Sequence, residues 1–236
     1  MPPSWLLAGL GYILPIAVPL ASAQPVQRPI VVELFTSQGC SSCPPADAQV
    51  AELAERRPDL LALTFHVTYW NSLGWQDPFS FKGATDRQRG YVAASVSPQV
   101  YTPAMVVDGK LDAVGSDRRA VFAALARAKA EAGPGAAVDV VRRGGTLSIA
   151  VGPGSGSGMI LLLGYDRQHV TTVGRGENSG RTLRETNVVC SMTTVGRWTG
   201  AAAQVEVPVP VGEDAAVIVQ AADGRIVGAA RAVPAS

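Results

Sequence analysis

Charge of either sign is scarce in this 236-residue chain: Lys and Arg number 20, Asp and Glu 19, and together they make 17% of it. The net charge is +1 and no run of Lys and Arg concentrates it, so the attraction that nucleic acid or an anionic lipid surface exploits is missing. Histidine occurs twice and cysteine three times, and a second cysteine pair at metal-ligand spacing is absent. No Ser-His-Asp order with a hydrolase elbow is present. The segment Gly152 to Gly158 (GPGSGSG) lacks the Gly-Lys-Ser/Thr ending of a phosphate loop and reads as a hairpin loop. There is no internal repeat. What the chain does have is apolar side chain, 47% of residues, which is enough for a full core and excludes a disordered tail protein. Gly (25) and Pro (17) add many turns.

From Met1 to Gln27 no side chain is charged, and Trp5 to Leu20 is an apolar stretch interrupted by Pro15 and Pro19, followed by Ala21-Ser22-Ala23. This pattern is short and broken for a membrane span and fits a secretory signal peptide over residues 1–23. The expectation is a periplasmic or secreted protein, free of the membrane after signal cleavage, in a compartment where disulfides persist.

Ile30 to Phe35 (IVVELF) is a near-continuous apolar run, as expected of a strand buried on both faces, with Glu33 as its interruption. Pro44 to Arg56 places Ala46, Val50, Leu53 and Ala54 on one helical face, and Pro58 ends it. Leu60 to Val67 is a second strand, and Ala84 to Ser95 a second helix. Two short strands follow, Ala104 to Val107 and Leu111 to Val114, joined by Asp108-Gly109. Ser116 is placed to cap a helix from Asp117 to Ala132, which Gly133-Pro134 stops. The order is β-α-β-α-β-β-α. Beyond Gly135 the helical period disappears and short apolar runs alternate with turns. These include Met159 to Tyr165, Val188 to Met192 and Ala215 to Gln220, as in a small antiparallel sandwich. Two domains are therefore expected, an α/β unit over residues 28–134 and a β-rich unit over residues 136–234.

Cys40-Ser41-Ser42-Cys43 stands between the first strand and the first helix. Residues three apart at a helix start lie within disulfide reach. A helix N-terminus stabilises a thiolate, which makes Cys40 the expected nucleophile and Cys43 the resolving thiol. Closing so short a loop stabilises a fold by only about 2 kcal/mol, a poor return for a structural staple. The alternatives are a permanent structural bridge, or copper or zinc held by Cys40, Cys43 and His66.

With Thr102-Pro103 opening the hairpin strand, this arrangement resembles the thioredoxin superfamily. That resemblance implies a cis Pro103 beside the dithiol, with Thr102 on the substrate side. The stretches VVELFTSQGCSSCPPAD, FHVTYWNSLGWQDPF, RQRGYV, VYTPAMVVDG and GENSGRTL resemble an uncharacterised secreted bacterial family, domain of unknown function 1223, with a thioredoxin-like fold. The chain departs from that family's pattern at Thr68, Asn71 and Cys190.

Tyr69, Trp70, Trp75 and Phe79 crowd the segment between the second strand and second helix. They either shape a substrate groove or pack that loop down as a satellite core. Glu33 is either a proton-transfer group near the dithiol or one half of a salt bridge. Cys190 is a buried free thiol or an intermolecular bridge. Glu177, Asn178, Arg181 and Arg184 hold a docking surface or a hydrogen-bonded loop. The chemistry expected of the whole is thiol-disulfide exchange through the cysteine pair, with no organic cofactor. Its partners would be protein or small-molecule thiols or disulfides and an upstream electron donor or acceptor, with copper or zinc handling as the rival.

Overall fold

The structure, a computed structural model, describes residues 28–133 and 135–235. The expected signal peptide and Pro134 of the expected helix stop lie outside these. The first half runs β1 (Ile30–Thr36), α1 (Pro44–Arg56), β2 (Leu60–His66), α2 (Lys82–Ala93), β3 (Ala104–Val107), β4 (Leu111–Val114) and α3 (Arg118–Ala130), the order read from the sequence. The second half is all strand: β5 (Val138–Arg143), β6 (Thr146–Val151), β7 (Gly158–Thr172), β8 (Thr182–Trp198), β9 (Ala203–Pro208), β10 (Asp214–Gln220), β11 (Ile226–Arg231) and β12 (Val233–Pro234). Among the described residues no helix is long and apolar enough to cross a membrane.

Local chemistry explains the boundaries. Asp108 and Gly109 both take positive φ, 55° and 66°, as the central residues of a type I′ turn closed by the Lys110 amide on the Val107 carbonyl require, with Lys110 as one further residue before β4. A side chain at position 109 would strike the Gly224 carbonyl, 1.9 Å from the added carbon. Asp117, one residue after the expected Ser116, caps α3 by accepting from the Ala120 amide (3.0 Å).

The strands form an eight-stranded mixed sheet, ordered β11-β10-β7-β8-β2-β1-β3-β4, and a four-stranded sheet, β12-β5-β6-β9. On one face of the large sheet, Val32, Leu34, Leu60, Ala62 and Met105 pack against Val50 and Leu53 of α1 and Val121 and Leu125 of α3. On the other, Val31, Phe35, Leu63 and Phe65 pack against Ala84 and Tyr91 of α2. The small sheet covers the far end of the large one through Leu147, Ile149, Ile160, Leu162, Trp198 and Val217.

This differs from two self-contained domains. A sandwich-like packing exists, but one of its sheets is shared with the first half, because β8 pairs parallel with β2 at Thr64 and Val188. β2 is buried on every residue, and an apolar edge left open would be a template for aggregation. Periodicity shows that a strand is apolar and does not show which neighbour it takes.

Glu33 is the one charge in β1. It is fully buried and held by Arg87 of α2 through Nε (2.5 Å) and Nη2 (2.9 Å), with Tyr91 donating a further hydrogen bond. Burial works against the Arg87 charge, yet the Glu33 carboxylate holds the guanidinium protonated well above its ordinary range. Removing one member of such a pair strands the other in a dry core. Arg87→Ala is therefore expected to lower stability by about 3–5 kcal/mol, read as a lower urea midpoint. A loss below about 1 kcal/mol would show the pair to be solvated in the manner of a surface bridge.

Candidate functional site

The first candidates come together where β1 ends. Cys40 and Cys43 form a disulfide, Cα to Cα 5.4 Å, and both are fully buried. Cys43 stands at the N-cap of α1, followed by Pro44 and Pro45. The prolines have no N–H, and the next two amides, of Ala46 and Asp47, both bond the Cys43 carbonyl. The free helix-end amides expected to stabilise a thiolate are thus largely absent, leaving the helix dipole.

The Thr102–Pro103 bond is cis. Antiparallel pairing of Phe35 with Ala104 sets Pro103 level with Thr36, where the chain leaves the sheet for the cysteine loop. Trp70 ties the two segments. Its indole donates to Thr102 Oγ1 (2.7 Å), and a side-chain carbon at Gly39 would lie 3.3 Å from Trp70 Cβ. Trp75 donates to Gln38 Oε1 (3.0 Å). Both half-buried tryptophans thus brace the cysteine loop from the segment between β2 and α2. Glu33 is not brought to this place: it faces α2 on one side of the sheet, whereas α1, with Cys43, packs on the other.

Beneath the disulfide lies a buried polar cluster that the sequence showed only through His66. His66 Nδ1 donates to Asp77 Oδ2 (2.7 Å), which also accepts from the Gln38 amide (2.8 Å). Gln38 Nε2 donates in turn to Glu185 Oε1 (2.9 Å). Asp47 sits one helical turn beyond Cys43, on the same buried face. Burial raises the Asp47 carboxyl to about 7, with His66 pulling the other way. Burial likewise raises Glu185. For His66 burial opposes the charged ring, but Asp77, Asp47 and Glu185 outweigh it and lift its pKa above the ordinary value. Asp77 is held low despite burial, by His66 and two backbone amides. His66 Nε2, Asp47 Oδ1, Glu185 Oε2 and Thr36 Oγ1 have no protein partner.

The tip of the β7–β8 hairpin closes over the loop. Asn178, fully buried, donates to the carbonyls of Gln38 and Cys40 (both 2.9 Å), and Glu177 Oε2 accepts from the Ser41 amide (3.0 Å). Its own bend rests on Gly176, φ +77°, where an added carbon would lie 3.2 Å from Trp75 Cβ. Of the second-half residues weighed from the sequence, Glu177 and Asn178 thus reach the cysteine loop, and Arg181 holds Asn178 Oδ1 (2.8 Å).

Of the alternative metal set, Cys40 and Cys43 are joined as a disulfide, which offers no thiolate in this oxidised form, and His66 gives Nδ1 to Asp77. Among the described residues the grouping of donor atoms that could share an ion is Asp166, His169 and Cys190. A surface cleft of about 620 Å³ lies elsewhere, over Arg87, Tyr91, Met159 and Met192.

What these elements define is a mixed α/β protein with two sheets, whose one disulfide is sunk at the start of a helix over a buried acid and histidine cluster. The chain belongs to the family of proteins of unknown function DUF1223, which it matches over residues 31–220. It is similar to the crystal structure of an Agrobacterium tumefaciens protein, at 34% identity and a TM-score of 0.75, over 86% of this chain and 92% of that one. HBP35 of Porphyromonas gingivalis shares the fold at 12% identity and a TM-score of 0.58, over 87% of this chain and 74% of that one. No curated protein matches the chain.

Two outcomes test this geometry. Asn178→Ala removes both carbonyl contacts over the cysteine loop. It is expected to speed reduction of the Cys40–Cys43 bridge by dithiothreitol by about tenfold, the equivalent of one net hydrogen bond, measured by thiol trapping. An unchanged rate would mean that the hairpin tip does not limit access. Asp47, Glu185 and His66 all have pKa values raised by folding, so each binds its proton more tightly in the folded state. Their contribution is intact at low pH and is lost as pH rises through the folded values, for Asp47 between its ordinary 3.8 and about 7. Asp77, held low, is ionised throughout that upper range and adds no slope there. Asp47→Asn is expected to be more stable than wild type at pH 8 by on the order of 1–3 kcal/mol, and no more stable at pH 4. Urea titrations of the oxidised proteins at the two pH values measure this, and a pH-independent difference would refute it.

Proposed function

We propose that the protein is an exported thiol-disulfide oxidoreductase with a thioredoxin-like first half. The observation that carries this is the Cys40–Cys43 disulfide at the head of α1, with the buried Asp47 carboxyl one turn beyond Cys43 pushed up to about 7 by desolvation. The β-α-β-α-β-β-α order and the cis Thr102–Pro103 bond level with the cysteine loop support the thioredoxin-like reading. The uncharged, apolar first 27 residues support export to the periplasm or beyond, where such a bridge persists.

In the oxidising direction, displacement of the hairpin tip that covers the buried Cys40 lets a substrate thiolate attack its Sγ. A mixed disulfide forms, the Cys40–Cys43 bond breaks, and its electron pair leaves on Cys43 as a thiolate. That thiolate takes a proton, for which the Asp47 carboxyl, with His66 behind it, is the nearby source. A second substrate thiolate then attacks the substrate sulfur, releasing Cys40 as a thiolate, and water returns one proton to Cys40 and one to Asp47. The substrate leaves as a disulfide two electrons poorer, and the protein holds a dithiol. An upstream electron acceptor restores the bridge. Trp70 and Thr102 border the substrate side, and the second half restricts entry through Asn178 and Glu177.

The test is the reduction potential of the metal-free pair, titrated against glutathione and dithiothreitol with thiol trapping. A reversible value between about −120 and −180 mV marks an oxidant or isomerase, and one near −270 mV a reductase supplied with electrons. Asp47→Asn should slow exchange more than it moves the potential. A bridge that resists the whole series would make it a structural staple and overturn the proposal.

A further inference from the structure

We infer that a second site, built by Asp166, His169 and Cys190 on the β7–β8 hairpin, binds one zinc ion. Cys190 Sγ (3.2 Å) and His169 Nε2 (2.9 Å) both lie on Asp166 Oδ2, and the three donor atoms are all within 4.8 Å of one another. Ligands of a tetrahedral zinc at ordinary bond lengths stand about 3.5 Å apart, so small side-chain rotations suffice.

The backbone is shaped to make this meeting possible. Gly164 pairs with Ser191 and Tyr165 with Val189, so Cys190 is the extra residue of a β-bulge. Bulges re-aim a side chain, and are frequent beside functional sites. Three residues on from Asp166, His169 is aligned by stacking on Phe79, ring centres 4.1 Å apart. Asp166 is oriented from behind, since its Oδ1 accepts from the Glu213 amide (2.9 Å), the kind of outer support that holds metal ligands in place. Arg167, next in sequence to Asp166, is turned to Asp214 (2.6 Å) instead of to Asp166.

The donor chemistry selects the metal. One thiolate, one imidazole and one carboxylate make a borderline set that suits zinc, whereas calcium and magnesium take oxygen ligands. The Asp166 and His169 side chains are 24% and 28% exposed, which leaves a fourth position open to water, as in zinc sites that keep a reactive ligand. Binding forms a Zn–S bond and breaks the Cys190 S–H bond, with the proton passing to buffer. The inference is independent of the redox reading, because Cys40 and Cys43 as a disulfide hold no free thiol.

The experiment uses the full oxidised chain, stripped of metal, with zinc followed calorimetrically and cobalt(II) as a spectroscopic probe. One equivalent is expected to bind, with a thiolate-to-cobalt charge-transfer band, and zinc should slow alkylation of Cys190. Cys190→Ser and His169→Ala should each weaken zinc by at least about tenfold, with circular dichroism reporting that the fold persists. Absence of a one-to-one complex, a cobalt spectrum without the thiolate band, or unchanged affinity in Cys190→Ser would each overturn the inference.

Discussion

Strand β2 is apolar along its whole length and buried on both faces, so neither of its edges can be left to solvent. β1 covers one edge in parallel register, and β8 covers the other from 122 to 125 residues further along, where Thr64 Oγ1 donates to the Thr186 carbonyl and Asn187 Nδ2 to that of Ala62. Much of the candidate site depends on this seam. Once β8 lies beside β2, Glu185 is delivered to the buried cluster under the cysteines. The tip of the β7–β8 hairpin is delivered over them. The second half is therefore wall and roof for the cysteine loop as well as a neighbouring layer.

Two buried electrostatic arrangements sit on opposite faces of the same sheet and answer the cost of burial differently. The Glu33–Arg87–Tyr91 group is complete: one charge of each sign, two direct contacts between them, and Gln220 bonding both Arg87 and Tyr91. It holds α2 to the sheet. The Asp47–His66–Asp77–Glu185 group has three acids to one histidine, and several of its polar atoms lack protein partners. Buried polar atoms are nearly always satisfied, and the exceptions gather where a group must gain or lose a proton. The face that carries the unbalanced cluster is also the face that carries the disulfide.

The aromatic segment between β2 and α2 links these parts. Trp70 bonds Thr102, Trp75 bonds Gln38, and Phe79 lies edge-on to His66 while stacking on His169. These contacts are those of the packing reading: the loop is packed down, and what it packs against is the cysteine loop, the cis proline segment and the hairpin stalk.

The first-half elements were legible in the sequence because each is specified locally. The hydrophobic period gives β1, α1 and β2, Asp108-Gly109 gives the hairpin turn, and Cys40 and Cys43 at a helix start give the disulfide. Glu33 was visible as an anomaly in an apolar run, but its partner was not, since Arg87 lies 54 residues away on a helix whose buried face includes polar residues. Asp47 carried no signal in the sequence that set it apart, and its burial in the first turn of α1 follows only from what packs on that turn. Likewise, only Met159 to Tyr165 and Val188 to Met192 stood out as apolar runs, and pairing with each other extends β7 and β8 into polar sequence on either side. Local sequence determined which segments are helix or strand and where the thiols stand, because those choices rest on backbone preference and nearest-neighbour side chains. The tertiary structure alone decided which strand closes the edge of β2, and with it which carboxylates share the dry space beneath the disulfide, because pairing partners and desolvation depend on residues distant in the chain.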